Sequence, residues 1–316
     1  MSTSGTQRTA LASGTRAIGT RAGALWRFSR PHTIVGTTIS VISLYAIADA
    51  AGQGSGALDL AATLLVACCV NVAIVGLNQI EDVNIDRVNK PDLPLAAGEL
   101  SRAAAKLIVG ATAVSATAMA ITQGPIELAA VLAALFVGAA YSSPPLRLKR
   151  FPAVAAISIS LVRALAVNLG VYGHFAGSLA GLPAAVWALT IFVLPFSAAI
   201  ALLKDVPDIE GDRRYRIHTF SVRLGARRVF AIALALLCAA YLGMAIPVAL
   251  ELSQVNRPLF AVGHLGALAI LLAWARRVDP DDAAEFTRFY MRIWQLFFFE
   301  YALVALSFLA GSTSLG

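Results

Sequence analysis

Charge is scarce in this chain. Only 14% of its 316 residues are Asp, Glu, Lys or Arg, against 58% hydrophobic residues and a mean hydropathy of +0.75. A water-soluble globule of this length needs more polar surface than that to cover itself, so composition excludes that class and predicts a polytopic membrane protein. Cysteine is sparse too. Cys68, Cys69 and Cys238 all fall inside apolar runs, which argues against a disulfide framework and against a thiolate metal site. The four histidines, His32, His174, His218 and His264, lack ligand spacing and read as interfacial or packing residues. Residues 1–25 contain no acid and no apolar core of the kind a secretory signal carries. Residues 1–28 are therefore expected to be a basic, disordered tail, with an organellar transit peptide as the alternative.

What the chain has in abundance is long apolar runs. A spanning helix needs about 20 apolar residues, and nine stretches qualify: 31–50, 58–80, 104–121, 126–142, 152–171, 183–203, 229–250, 257–274 and 290–311. Short connectors such as AGQGSG and TQG alternate with longer polar ones at 81–103, 143–151, 204–228 and 275–289. Cytoplasmic loops collect Lys and Arg. With the N-terminus inside, all of the 25 basic residues except Arg163 and Arg257 fall on the inner side or its flanks. The net charge of +7 then reports orientation and lipid headgroup contact, with no nucleic acid implied as a partner. No soluble second domain fits. Residues 29–316 are expected to form one all-α bundle around a central cavity, capped on the cytoplasmic side.

Two acidic words break the apolar pattern. In NQIEDVNIDRVNKP, residues 78–91, the side chains of Asn78, Asp82 and Asp86 are four apart, so on a helix continuing the second span they share one face. In KDVPDIEGD, residues 204–212, Asp205, Asp208 and Asp212 also fall near one face, although Pro207 and Gly211 invite a kink. Like charges at this spacing repel. One such cluster is as readily a solvated loop balanced by Arg87, Lys90, Arg213 and Arg214, but two matched clusters at one membrane face point to a hard divalent cation. Such cations take oxygen ligands, and Mg²⁺ shares its shell with substrate phosphates. A lipid diphosphate explains why the site belongs in a membrane. Arg147, Lys149 and Arg150 in YSSPPLRLKR, with Tyr141 in the same word and Lys204, are placed to meet its phosphate oxygens. For each basic residue the plain topology signal is an equal reading.

Arg163 stands alone inside the fifth span, with Asn168 five residues on. A guanidinium there is costly unless it faces the bundle interior and finds a partner. Two readings stay open: a structural pair with Glu300 in the ninth span, or a seat for an acceptor's carboxylate.

The words NQIEDVNIDRVNKPDLPLAAGELS and KDVPDIEGDRRYRIHTFSVRLG, with AYSSPPLRLKRFP, VRALAVNLGVY and IWQLFFFEYAL, resemble the UbiA superfamily of intramembrane prenyltransferases, and within it the homogentisate prenyltransferase branch. The resemblance runs from the second span to the ninth. It implies nine membrane helices, Mg²⁺ as cofactor, and Asn78, Asp82 and Asp86 as the first metal and diphosphate motif. Asp208 and Asp212 match the second motif, and Asp205 lies in the branch's KDVPD word. Glu81 and Asp92 depart from the pattern without touching a metal position. The reaction implied is transfer of a prenyl group to an aromatic acceptor, in this branch homogentisate, coupled to loss of its carboxylate on the route to tocopherols and plastoquinone. Another acceptor (a hydroxybenzoate, a naphthoate, a chlorophyllide, a specialised phenol), cyclisation without an acceptor, and cation-coupled transport are the alternatives. Transport is disfavoured because the acids gather at one face, Glu300 excepted. An Ala-rich, Arg-over-Lys composition points to a bacterial cell membrane, with a plastid membrane as the alternative.

Overall fold

A computed structural model describes residues 21–215, 217–245 and 252–312. Among them, nine helices are long and apolar enough to cross a bilayer: α1 (Pro31–Ala50), α2 (Ala57–Asn89), α3 (Arg102–Gln123), α4 (Pro125–Ser142), α5 (Pro152–Phe175), α6 (Ala184–Leu203), α7 (Ala226–Gly243), α8 (Arg257–Ala275) and α9 (Ala283–Ser312). No strand occurs among the described residues. In hydrocarbon every backbone amide needs an internal partner, which a helix supplies along its whole length.

Two boundaries differ from the hydropathy reading, each for a physical reason. The second span was expected to end at residue 80, yet α2 runs to Asn89. Its 33 residues cover about 50 Å, well beyond a hydrocarbon core of about 30 Å, so the polar motif rides on a helix that protrudes from the membrane. The ninth helix starts at Ala283 rather than 290 because Phe286, Phe289 and Ile293 bury one face, while Glu285, Arg288 and Arg292 on the other mask it from a hydropathy window. The seventh helix is α-helical to Gly243 and π-helical at 244–245, and the rest of the expected span, 246–250, lies outside the described residues. So do residues 1–20 of the expected tail. Its last eight residues, 21–28, are helical, with Ala24 and Phe28 buried.

The main core joins α1, α5, α6, α7, α8 and α9 around Phe192, Phe196, Tyr241, Phe260 and Phe297. Helix α6 is buried on nearly all sides, as expected for one that is apolar all round. Helices α2, α3 and α4 pack through a second cluster of Val66, Val70, Ala116 and Val131. Glycines permit these close approaches: a Cβ on Gly138 would lie 2.7 Å from Ile74, and one on Gly76 would lie 2.8 Å from Phe28. Between the two halves lies a cavity of about 310 Å³ lined by α1, α2, α4, α5, α6 and α9, at the lower end of ligand-pocket volumes. Around it, α5 widens into a π-helical stretch over Val162–Val171.

Candidate active site

The mouth of the cavity is built from three pieces: the protruding end of α2, the connector after α4, and the turn and short helix (Ile209–Arg214) that follow α6. Because α2 stays helical through the motif, Asn78, Asp82 and Asp86 do share one face. Asn78 Nδ2 donates to Asp82 Oδ2 at 3.0 Å. The connector brings cations to the same carboxylate: Lys149 Nζ donates to Asp82 Oδ1 at 2.6 Å, and the Arg147 guanidinium approaches it at 3.5 Å. Arg150 does not join them; it is exposed and stacks on Phe151.

The second motif meets the first at two points. Lys90 forms an ion pair with Asp208, and Asn89 Nδ2 donates to Asp212 Oδ1 at 3.3 Å. Closeness here depends on Gly211, whose Cβ, had it one, would lie 1.9 Å from Asn89 Oδ1. Asp205 pairs with its neighbour Lys204 at 3.4 Å, and Lys204 Nζ donates to the Tyr141 hydroxyl at 2.8 Å. Asn78, Tyr141 and Lys204 line the cavity itself. Glu81 stands beside this site, accepting from Ser143 at 3.4 Å.

Electrostatically the mouth is overfilled with negative charge. Burial, then Asp205 and Asp208 nearby, push the Asp212 carboxyl up to about 7. Burial also raises Asp205, against the pull of Lys204, and draws the Lys149 ammonium down despite Asp82. Asp86 keeps one buried oxygen, Oδ2, without a hydrogen-bond partner. No three His, Cys, Asp or Glu side chains among the described residues stand as a ready-made metal cage; lysines hold Asp82 and Asp208 instead. An all-oxygen donor set, an orphaned carboxylate oxygen and carboxylates that raise one another's proton affinity nonetheless suit a hard divalent cation.

Of the two readings left open for Arg163, the pairing with Glu300 does not occur. Glu300 is fully buried and contacts His264 of α8 at 3.0 Å, whose other ring nitrogen meets the Phe260 carbonyl at 2.6 Å. Asn168 accepts from the Tyr301 hydroxyl at 2.6 Å. Arg163 turns to the cavity, its guanidinium 4.7 Å above the Trp294 ring and 5.7 Å from that of Phe297. Stacking of this kind contributes about 2 kcal/mol or more when desolvated, of the same order as the roughly 3 kcal/mol that an arginine within a membrane span costs on insertion scales.

Sequence reasoning had used Lys90 only as a balancing charge and passed over Asn89, although Asn89 follows Asp86 by three residues on one helix face. It also missed Glu127, buried in the first turn of α4 and lining the cavity; an acid opening an apolar span was the available signal.

Nine long apolar helices among the described residues, around a cavity whose mouth carries two carboxylate arms, fit an integral membrane enzyme, and the relatives below make its class that of the prenyltransferases. The sequence profile described as the UbiA prenyltransferase family matches residues 39–296, and the chain belongs to that family. It is 44% identical over 293 residues to the homogentisate phytyltransferase of Synechocystis, covering 90% of this chain and 95% of that one. To the homogentisate geranylgeranyltransferase of Triticum aestivum it is 39% identical, with 89% and 71% covered. The homogentisate solanesyltransferase of Arabidopsis thaliana is also 39% identical, with 89% and 75% covered. In fold it matches a UbiA homolog from Archaeoglobus fulgidus solved with GPP and Mg²⁺, with a TM-score of 0.62 at 20% identity over 89% of this chain and 99% of that one.

Proposed function

We propose that this protein transfers a prenyl group from its diphosphate to homogentisate, with Mg²⁺ as cofactor and with loss of the acceptor's carboxylate, in prenylquinone and tocopherol biosynthesis. The observation that carries the reading is the junction of the two aspartate segments over the cavity mouth, through Asn89–Asp212 and Lys90–Asp208. The homogentisate-named relatives support the acceptor. In this reading residues 29–316 act as one transferase domain, and the basic residues at the aspartate face support a mouth on the cytoplasmic side.

Asn78, Asp82, Asp86, Asp205, Asp208 and Asp212 would hold the cation, which when bound supplies charge stabilisation to the departing diphosphate. Arg147, Lys149, Lys204 and Lys90 add positive charge for the phosphate oxygens. The allylic C–O bond breaks with its electron pair going to the diphosphate, and the electron-rich acceptor ring attacks the allylic carbon. The attacked ring carbon gives up its proton; the side chain releases carbon dioxide and takes up a proton to become a methyl group. Apolar walls formed by Val66, Val70, Val131 and Ala134 keep water from the allylic carbon.

The test is turnover by the purified protein in liposomes, with Mg²⁺, homogentisate and, in turn, phytyl, geranylgeranyl and solanesyl diphosphate. A prenylated methylquinol with pyrophosphate release is expected. Pyrophosphate release without any acceptor would mean cyclisation, and product only with a hydroxybenzoate or naphthoate would move the acceptor.

A further inference from the structure

The cavity wall around Arg163 carries buried N–H donors that have no partner. Arg163 Nη1, Arg30 Nε and Trp294 Nε1 are buried without hydrogen-bond partners, and all three residues line the cavity. The lining contains one carboxylic acid, Glu127. It lies fourteen residues along α4 from Tyr141, about 21 Å of helix, and so at the far end from the mouth. Buried N–H groups left unpaired on a cavity wall whose one acid lies at its far end call for an anion. A planar guanidinium fork matches a carboxylate in two parallel hydrogen bonds.

The surrounding shape narrows the class of anion. Arg163 lies over the face of Trp294, His32 meets the same ring edge-on at 5.0 Å, and Phe297 flanks the guanidinium. Flat aromatic walls beside a cation fit a planar ring bearing an acidic arm. Depth separates this place from the diphosphate: Arg163 is eleven residues into α5 from Pro152, about 16 Å, whereas the cations that meet the aspartates, Arg147 and Lys149, precede that helix. Arg163 also sits at the start of the π-helical stretch, a backbone form that concentrates at functional sites.

We infer that Arg163, with Trp294 Nε1 beside it, is the subsite for the carboxylate of the aromatic acceptor, which is held deeper in the cavity than the prenyl diphosphate. The inference rests on the prenyl-transfer reading above and deepens it. It also accounts for product departure: once the carboxylate has left as carbon dioxide, the prenylated quinol has no anion for Arg163 and loses its anchor. A fatty-acid carboxylate from the bilayer offers the same chemistry, so the experiment must separate the two.

That experiment is equilibrium binding of radiolabelled homogentisate to the full chain in nanodiscs, without Mg²⁺ or prenyl diphosphate, against four competitors: phenylacetate, methylhydroquinone, oleate and pyrophosphate. Phenylacetate should compete, and the other three should compete far less. Arg163→Gln should weaken binding roughly 10- to 100-fold, with Arg163→Lys retaining part of the affinity. Unchanged binding in Arg163→Gln, or competition by oleate or pyrophosphate in place of phenylacetate, would overturn the inference. If Arg163→Gln fails to fold, Arg163→Lys and Trp294→Phe carry the test, and wild-type affinity in both would overturn it equally. Absence of homogentisate binding to the wild type also overturns it. Arg163-dependent phenylacetate binding in a protein that never prenylates homogentisate would sink only the functional reading.

Discussion

Asn89, at the last turn of α2, donates to the carboxylate of Asp212 at 3.3 Å across a separation of 123 residues. The approach is possible because Gly211 presents no Cβ to the Asn89 amide. Gly211→Ala must therefore displace Asn89 and break the link between the two aspartate arms. The expected outcome is a roughly tenfold rise in the Mg²⁺ concentration needed for half-maximal turnover, the scale of one hydrogen bond to a charged group, with the thermal midpoint little changed. A Mg²⁺ titration of initial rates, paired with a melting curve, checks it.

Asp82→Asn and Asp208→Asn each keep the side chain's shape while removing a charge that, in the proposed mechanism, acts on the developing diphosphate. Turnover should fall by roughly 10²–10³, while the detergent-solubilised protein elutes and melts like the wild type. Near-normal rates in either variant would argue against the proposed roles.

Asp212 links the site to pH. Its carboxyl in the folded protein is raised from 3.8 to about 7, chiefly by burial and then by Asp205 and Asp208. A carboxyl raised on folding favours its protonated form, so its contribution to stability is present below pH 4 and is lost as pH climbs through about 7. A cation bound to the ionised form reverses that loss. The thermal shift produced by Mg²⁺ should consequently be larger at pH 8 than at pH 6, and this dependence should shrink in Asp212→Asn.

His264 and Glu300 make a buried contact between α8 and α9, 36 residues apart. Removing one member of such a pair leaves an unsatisfied buried polar group and costs about 1–3 kcal/mol. Glu300→Ala and His264→Ala should each lower the thermal midpoint clearly. The double change His264→Phe with Glu300→Leu should recover most of the loss, since an apolar replacement of the whole pair leaves nothing unsatisfied.

Much of the architecture was legible because its signals are local. Apolar run length marks a spanning helix, and the i, i+4, i+8 spacing of Asn78, Asp82 and Asp86 puts them on one face wherever that helix goes. The early start of α9 escaped notice because Glu285, Arg288 and Arg292 dilute its apolar face, and a window average cannot see sidedness. The same locality explains why Glu127 was missed: one acid in an apolar run changes the average little, and its burial depends on neighbours from other helices.

By itself, then, the sequence determined the membrane class, the helix count and the two sets of aspartates, since each depends on residues within a few turns of one another. Tertiary structure alone decided which groups became partners. Lys90 met Asp208 over a gap of 118 residues, Glu300 took His264 instead of Arg163, and Arg163 was left facing the cavity. Pairing across helices is set by packing angle and register, and neither leaves a mark on the spacing of residues along the chain.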